Sequence, residues 1–455
     1  MPALPEKPSP KAAARLAWSV LVVAVLFAML SRTAVALSGA PAVVNFLHFP
    51  LVGLAYTLAR RRSRVRAIRT GERLLALSAI LTAASWLGGS DSSLLRTMLL
   101  WPVLMEPFVV ILAVWHLSAQ GIPSRWARYL AVGIVLAEVP IAVGQALAFG
   151  IGDAVQGTLV QQGAGHHVLG AIGLMVALAA LATLMNGQAS SRSIAIPAIL
   201  GGFLLAVITD MKQGVAVFFL VLPFLVLRGL RQRRITVRGF ASAFPRALGA
   251  AALAAALGFG AIFFNQGFRL AVTEPWRLPT TLEAKTAALS LSLAAMAENH
   301  IAYLVGLGPG TTFTRVAWLS SPLGEQSFLY ALRLKPTPIT LEMTNALVSN
   351  PLWMASSLSS PFSTWTGVFG DLGLLGLLTY AGLWWVSWRA ARKSGQGLAA
   401  QAVILFTAAL GFLFNWMEEP VLVMTAALVI GGTTSVQETP DDELPRRLVR
   451  RVRLA

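Results

Sequence analysis

Asp210 and Lys212 lie in a short polar segment that joins two long apolar segments near the middle of the chain. Ionisable groups at membrane depth are costly to bury, so each of them is a candidate for function. A cation at the end of two adjoining helices is placed to meet an anionic lipid headgroup. Alternatively, the segment is an ordinary tight turn in which Lys212 pairs with Asp210 and reaches toward the membrane surface. The sequence leaves both interpretations open.

A second candidate set lies in the longest polar stretch of the chain, on both sides of Glu298 and His300. It consists of four basic residues, Arg269, Arg277, Lys285 and Arg315. Two or three converging guanidinium or ammonium groups would bind a pyrophosphate through charge-assisted hydrogen bonds. Histidine and carboxylate side chains serve as general bases, so Asp210, Glu298 and His300 are candidates for that role. The alternative is that these residues only solvate a loop or bind lipid phosphates without specificity.

Five other polar residues lie inside or at the ends of apolar segments. Glu106 and Glu138 are candidate relay groups, but pairing with an arginine or a backbone group of a neighbouring helix is the simpler interpretation. His166 and His167 lack further ligands at the spacing that a metal site needs, so no metal is expected. Arg32 either reaches outward to the membrane surface or joins the headgroup site.

Long apolar segments must position these residues, because 56% of the chain is hydrophobic and only 12% is charged. A soluble chain of this length carries about 25% charged residues. Most of the apolar runs have roughly 17–23 residues, which is the length that crosses a hydrocarbon layer. We therefore predict an all-α, polytopic membrane protein with about 12 transmembrane helices. The predicted segments are 16–37, 41–59, 73–90, 94–115, 129–149, 167–185, 194–209, 213–227, 247–264, 365–387, 398–417 and 420–434.

The distribution of lysine and arginine predicts the orientation of these segments. With both termini in the cytoplasm, 27 of the 36 basic residues fall on the cytoplasmic side. The short outer connections and nearby segment ends then contain only Arg32, Arg96 and Lys212. This asymmetry is typical of membrane proteins, and it accounts for the net charge of +17 without a nucleic-acid partner. The predicted parts are nine helices in 1–264, a large, partly helical extracytoplasmic loop at 265–364, three helices in 365–434 and a basic cytoplasmic tail at 435–455.

Several function classes are excluded by what the sequence lacks. It contains no cysteine, so disulfide and thiol chemistry are absent. It contains no P-loop, metalloprotease motif or Ser-x-x-Lys pattern, so no nucleotide coupling and no cofactor are expected. Any chemistry would therefore use a substrate that is already activated.

Three motifs in this topology carry a resemblance to a known family. They are the turn Asp210-Met211-Lys212-Gln213-Gly214, the loop sequence Gly306-Leu307-Gly308-Pro309-Gly310, and Phe369-Gly370-Asp371-Leu372-Gly373-Leu374-Leu375-Gly376 at the start of the next apolar segment. In this order the chain resembles the O-antigen polymerase and ligase superfamily over residues 195–390. The resemblance implies a GT-C-like membrane protein of the bacterial inner membrane. Its expected activity is polymerisation of undecaprenyl-pyrophosphate-linked oligosaccharide repeat units on the outer face.

The resemblance also implies roles for particular residues. Lys212 occupies the place of a family arginine that contacts the lipid pyrophosphate, and Arg269 and Arg277 are the best positional matches for further arginines, with Arg315 in reserve. The enzyme would be an inverting, metal-independent glycosyltransferase. Its expected partners are the lipid-linked glycan, membrane lipid and a chain-length regulator protein.

Three alternatives stay open at this stage. Family ligases, which transfer glycan to lipid A-core, carry a His-Asn pair shortly before the Gly-rich helix start. Residues 360–364 contain no histidine, which disfavours that branch. A lipid-linked-oligosaccharide flippase or other transporter would line a path through both leaflets with polar residues. A non-catalytic membrane scaffold would need no converging cations.

Overall fold

Helices account for all regular secondary structure in the described part of the computed structural model, as the sequence predicts. The structure describes residues 10–61, 63, 65–89, 93–160, 165–186, 192–232, 277–324, 329, 334–354 and 360–434. Eight α-helices precede the long loop: α1 Pro10–Ser38, α2 His48–Ala59, α3 Arg66–Gly88, α4 Leu94–Ala119, α5 Arg125–Phe149, α6 Gly165–Met185, α7 Arg192–Ile208 and α8 Lys212–Gln232.

Eight more α-helices follow in the described part of the chain. Five short or medium helices belong to the loop: α9 Arg277–Ala297, α10 Ala302–Val305, α11 Arg315–Ser320, α12 Pro338–Ser349 and α13 Pro351–Met354. Three close the chain: α14 Thr364–Lys393, α15 Gly397–Leu413 and α16 Pro420–Thr433. The predicted segment 247–264 lies outside the described residues.

Seven helices in the described part are long and apolar enough to cross a membrane, which indicates a helical membrane protein. They are α1, α4, α5, α6, α8, α14 and the run Ala42–Ala59 that contains α2. Three shorter apolar helices, α7, α15 and α16, lie where the sequence predicts spans, and so does α3.

The helix α6 lies at the centre of the bundle and packs against α7 at backbone distance. Its run Gly165–Met185 is almost completely buried, which fits a helix that is apolar on every side. Gly173 and Gly202 make the close approach possible, because a Cβ atom on Gly202 would lie 2.2 Å from the Gly173 carbonyl oxygen. Small residues at the contact allow two membrane helices to pack closely without a hydrophobic driving force.

The helix ends meet in two groups, at opposite ends of the bundle. At one end, the hydroxyl of Thr33 donates to the carbonyl of Thr158 at 2.5 Å. The backbone N–H of Gly152 there donates to Ile208 at 3.0 Å. The described residues of the loop segment (277–324, 329 and 334–354) pack at this end, which we call the loop face.

The other end of the bundle, which we call the opposite face, has its own hydrogen bonds between helix ends. Gln120 donates to the carbonyl of Ala59 at 2.6 Å, and Ser394 donates to that of Thr433 at 2.8 Å. The C-terminal ends of α2, α4, α14 and α16 therefore lie at this face.

The loop segment has a small hydrophobic core of its own, separate from that of the bundle. Its buried members are Ala284, Ala288, Phe313, Met343, Leu347, Trp353 and Phe362. Lys285 joins this core to the bundle, because its ammonium donates to the carbonyls of Ser360, Phe362 and Leu413. Burial lowers the pKa of Lys285 to about 7. The three carbonyls match its three N–H donors, so Lys285 serves the fold and is not presented to an anionic ligand.

Cysteine labelling tests the orientation that the basic residues predict. The natural chain has no cysteine, so single cysteines introduced at exposed positions have no background. We expect Arg61→Cys and Gly395→Cys to react only with reagents on the cytoplasmic side, because both lie among the basic connections. Ala297→Cys and Glu342→Cys, which are exposed in the loop segment, should react only from the outer side. Labelling of Arg61→Cys from outside would overturn the predicted orientation.

Candidate functional site

Asp371 is a completely buried carboxylate on α14 that holds one end of the loop segment against the bundle. The backbone N–H groups of Gly310, Thr311 and Thr312 donate to its two oxygens at 2.7, 3.1 and 2.8 Å. The hydroxyls of Thr312 and Thr314 donate as well, each at 2.7 Å. Hydrogen bonds from this many donors compensate the cost of burying the carboxylate.

The same loop segment completes the backbone hydrogen bonds of α14 where that helix is broken. Gly373 has the non-helical dihedral angles φ 66° and ψ −168°. The carbonyls of Gly370 and Asp371, which precede the break, accept the N–H groups of Leu307 at 2.9 Å and Gly308 at 3.3 Å. A break inside the membrane is tolerated when neighbouring groups replace the lost bonds.

Two glycines are required where the loop segment and α14 touch. Gly306 has φ +89°, and a Cβ atom on it would lie 2.1 Å from the carbonyl oxygen of Asp371. A Cβ atom on Gly373 would lie 2.5 Å from the backbone nitrogen of Gly306. Only glycine fits at both positions. We call residues 306–314 together with 370–373 the clasp, and it joins two of the motifs that carry the family resemblance.

Arg315 follows the clasp directly and is held by two buried glutamates. Its backbone N–H donates to the carboxylate of Glu418 at 2.5 Å, and its guanidinium donates to Glu419. The guanidinium of Arg32, on α1, lies 2.5 Å from the other oxygen of Glu419. Arg32 therefore joins the same group of charges as Arg315.

Burial changes the ionisation of this group. Burial raises the pKa of Glu418 to about 8, and the nearby Asp371 adds to the effect. Burial, and to a lesser extent the like charge of Arg32, lower the pKa of Arg315 to about 9. At neutral pH, Glu418 is then mostly protonated while Arg315 keeps its charge. Glu419 lies between the guanidinium groups of Arg32 and Arg315 and contacts both of them.

Lys212 and Asp210 form an ion pair at the loop face, with 2.6 Å between the ammonium and the carboxylate. Asp210 has φ 53°, which is the left-handed conformation that tight turns use. The pairing matches the turn interpretation. The Lys212 side chain is nevertheless 37% exposed, so its ammonium is accessible to a second anionic group.

A row of aromatic and imidazole rings lies between the Lys212 pair and the Arg315 group. His166 lies 3.1 Å from the carboxylate of Asp153 and interacts electrostatically with Lys212. Its ring centroid is 3.8 Å from that of His167, which in turn lies edge-on to Trp416 at 5.7 Å. We call the whole set the loop-face cluster: Arg32, His166, His167, Asp210, Lys212, Arg315, Trp416, Glu418 and Glu419.

The remaining predicted site residues lie apart from this cluster or outside the described residues. Glu298 and His300 are exposed on the turn between α9 and α10, where the ring of His300 stacks on Tyr303 at 6.3 Å. Within the described part of the chain, no hydrogen bond or ion pair joins them to Lys212 or Arg315. Arg277 begins α9, its side chain lies outside the described residues, and so does Arg269.

The two intramembrane glutamates singled out by the sequence have local partners. Glu106 lies 2.6 Å from Nδ1 of His48, and Glu138 accepts hydrogen bonds from the backbone and hydroxyl of Thr158. Both glutamates therefore pair with groups of neighbouring segments. No three His, Asp or Glu side chains gather as metal ligands in the described parts of the structure.

Sequence reasoning missed Glu418 and Glu419. They lie in the connection between the last two predicted spans, and both are buried completely. The available signal was a pair of adjacent acids that form the whole connection between two predicted spans.

No protein-family model matches the chain. No curated protein matches it either. The family resemblance therefore rests on the motifs and topology of the sequence alone.

Replacing Asp371 tests the clasp. Asp371→Ala would leave three backbone N–H groups and two hydroxyls without their acceptor. Each buried orphan costs about 1–3 kcal/mol, so we expect a fall of about 3 kcal/mol or more in the free energy of unfolding. We also expect faster trypsin cleavage within 277–354. Thermal unfolding and limited proteolysis in detergent measure both effects.

Ser387→Ala is the matched control for this variant. Ser387 is also buried on α14, but its hydroxyl bonds only to Leu383 of the same helix. Equal unfolding temperatures for Asp371→Ala and Ser387→Ala would contradict the role of the clasp.

Proposed function

We propose that the chain is a membrane glycosyltransferase that polymerises undecaprenyl-pyrophosphate-linked oligosaccharide repeat units. The reaction takes place at the loop face, on the periplasmic side of a bacterial inner membrane. The chain crosses this membrane about 12 times, and both termini lie in the cytoplasm. The excess of basic residues in the other connections supports this orientation.

The loop-face cluster is the observation that carries the proposal. It gathers Arg32, Lys212 and Arg315 from three distant parts of the sequence at one end of the bundle. Burial raises the pKa of Glu418, so this residue contributes less negative charge to the cluster at neutral pH than an exposed glutamate would. Such a cluster favours a ligand that carries several negative charges at the membrane surface.

The expected chemistry breaks one glycosidic bond to phosphate and forms another to a sugar hydroxyl. A hydroxyl of one repeat unit attacks the anomeric carbon of the growing glycan, and undecaprenyl pyrophosphate leaves. Negative charge develops on the leaving oxygen in the transition state. Cations that are already in place stabilise this charge without having to reorganise.

Lys212 is the cation best placed to bind the leaving pyrophosphate. It is the most accessible of the three cations in the cluster, and Asp210 holds its ammonium at the loop face. Arg315 and Arg32 are paired with Glu419, so they act on the pyrophosphate chiefly through their electrostatic field and not by direct contact. We assign Arg269 and Arg277 to the same anion only as matches to the family pattern.

Geometry bears on the identity of the general base. In an inverting displacement, the attacking and leaving oxygens lie on opposite sides of the anomeric carbon. The general base must lie beside the attacking oxygen. The carboxylate of Asp210 lies 2.6 Å from Lys212, the cation proposed to bind the leaving group, and is therefore on the wrong side of the anomeric carbon. Asp210 therefore positions Lys212, and the base is sought among exposed groups such as Glu298 and His300.

Lys212 variants test the proposal in cells. Lys212→Ala should abolish glycan extension, because removing one donor to a developing negative charge costs about 10²–10³ in rate. Lys212→Arg should retain part of the activity, because the charge keeps its sign while its geometry changes. The measurement is the length distribution of the glycan ladder at matched protein level.

Lys335→Ala is the matched control, because Lys335 is an exposed lysine of the loop segment outside the cluster. It should give a ladder of normal length. A turn lysine that only pairs with Asp210 would lose at most about 1 kcal/mol of stability when replaced. A glycan ladder of normal length from Lys212→Ala would therefore contradict the proposed mechanism.

A further inference from the structure

The helix α9 has one buried face and one exposed apolar face. Its buried positions are Ala284, Ala288, Ser292 and Met296. On another face, Leu282, Leu289 and Leu293 are 67%, 40% and 37% exposed. Their spacing of seven and four residues keeps them on the same side of the helix. The helix α9 is therefore amphipathic, and its leucines lie on the surface of the described structure.

The helix α10 continues this apolar surface beyond the polar turn at 298–300. Ile301 and Leu304 are 66% and 50% exposed. The hydroxyl of Tyr303 donates to the carbonyl of Leu293 at 3.3 Å, which holds α10 beside the end of α9. Single exposed apolar residues are common, but five on two adjoining helices indicate an interaction surface. We call this set the apolar stripe: Leu282, Leu289, Leu293, Ile301 and Leu304.

The apolar stripe meets the exposed side of α14, which is one of the seven candidate spans. A Cβ atom on Gly373 would lie 2.5 Å from the carbonyl oxygen of Leu304, so α10 touches α14 at its break. The leucines Leu374, Leu375 and Leu378, which follow the break, are exposed. They face lipid tails because α14 crosses the membrane. Apolar surface therefore continues from the stripe onto a lipid-facing helix.

The lengths of two helices give the depth of α10 in the membrane. On α14, Gly373 precedes the exposed Arg389 by 16 residues, which is about 24 Å of helix. On α3, the exposed Arg73 precedes Gly88 by 15 residues, or about 22 Å, and a Cβ atom on Gly88 would lie 3.8 Å from the Val305 side chain. Exposed arginines lie at the boundary of the hydrocarbon layer on the opposite face. Because this layer is about 30 Å thick, α10 lies about 6–8 Å inside its boundary at the loop face.

We propose that the apolar stripe is immersed in the lipid leaflet at the loop face, in contact with acyl chains. Interfacial amphipathic helices bury their apolar face about 5–10 Å into the boundary between headgroups and acyl chains, which matches the depth of α10. The partner is lipid and not another protein, because the stripe is continuous with the lipid-facing side of α14. This contact holds the polar turn at 298–300 at the level of the headgroups. The contact does not depend on the proposed enzymatic function.

Spin labels on single cysteines test this contact in the full chain, reconstituted into vesicles of phosphatidylcholine and phosphatidylglycerol. The natural chain has no cysteine, so each label reports one position. Electron paramagnetic resonance measures collisions of the label with oxygen, which concentrates in lipid, and with a water-soluble nickel chelate. We expect labels on Leu289→Cys and Ile301→Cys to be reached by oxygen and protected from nickel, at a depth of about 5–10 Å below the headgroups. If either variant does not fold, Leu293→Cys replaces it with the same expectation.

Two exposed positions calibrate the measurement. A label on Leu378→Cys, on the lipid-facing side of α14, should be reached by oxygen only, and one on Glu342→Cys, on α12, should be reached by the nickel chelate. The proposal is overturned if the chelate reaches the labels on Leu289→Cys and Ile301→Cys as readily as that on Glu342→Cys. It is also overturned if neither reagent reaches them, because protein then covers the stripe, either a second copy or another segment of this chain.

Discussion

The position of the loop segment depends on one buried carboxylate. Asp371 accepts three consecutive backbone N–H groups and two threonine hydroxyls from a segment about 60 residues earlier in the chain. In return, that segment supplies the N–H groups that the broken helix α14 lacks near Gly373. Neither the loop segment nor the broken helix α14 can complete its hydrogen bonds without the other. Unpaired backbone groups at membrane depth cost several kcal/mol each. The clasp therefore makes the helix break and the loop position a single structural unit.

The clasp also explains where the charges of the candidate site lie. Arg315 is the first residue after the clasp, so the position of its backbone N–H against Glu418 follows from that of Thr314 against Asp371. Glu419 then holds Arg315 and Arg32 at once. Separating the partners of a buried charge pair costs free energy, because each charge is left uncompensated. The pairing therefore keeps these groups in place before any ligand binds. Preorganised charge of this kind is what stabilisation of a leaving pyrophosphate requires.

Composition and spacing predict the helices well and their contacts poorly. The all-helical fold is confirmed, because a run such as Gly165–Met185 can satisfy its backbone in lipid only as a helix. The number of about 12 spans stays a prediction, since seven helices meet the length and hydropathy criteria and 247–264 lies outside the described residues. Lys285 shows why the site residues could not all be predicted from the sequence. Its charge suggested an anion partner, but three carbonyls from distant segments surround its ammonium.

The clasp and the glutamates illustrate why the rest could not be predicted. The two motifs of the clasp are visible in the sequence, but a single sequence contains no information that they bind each other. Glu418 and Glu419 are visible in the sequence as two acids in a short connection, but the sequence does not indicate that Arg32 and Arg315, from distant parts of the chain, contact them. Long-range pairing of this kind depends on tertiary packing and not on local pattern.

The most direct test of the account is an assay with the purified chain and synthetic undecaprenyl-pyrophosphate-linked repeat units in detergent or lipid nanodiscs. Glycan length and free undecaprenyl pyrophosphate are measured together over time. We expect longer glycans, with one undecaprenyl pyrophosphate released for each new glycosidic bond and no need for a nucleotide. Binding of the lipid-linked unit without extension, or its movement across the bilayer without release of pyrophosphate, would contradict the proposed function.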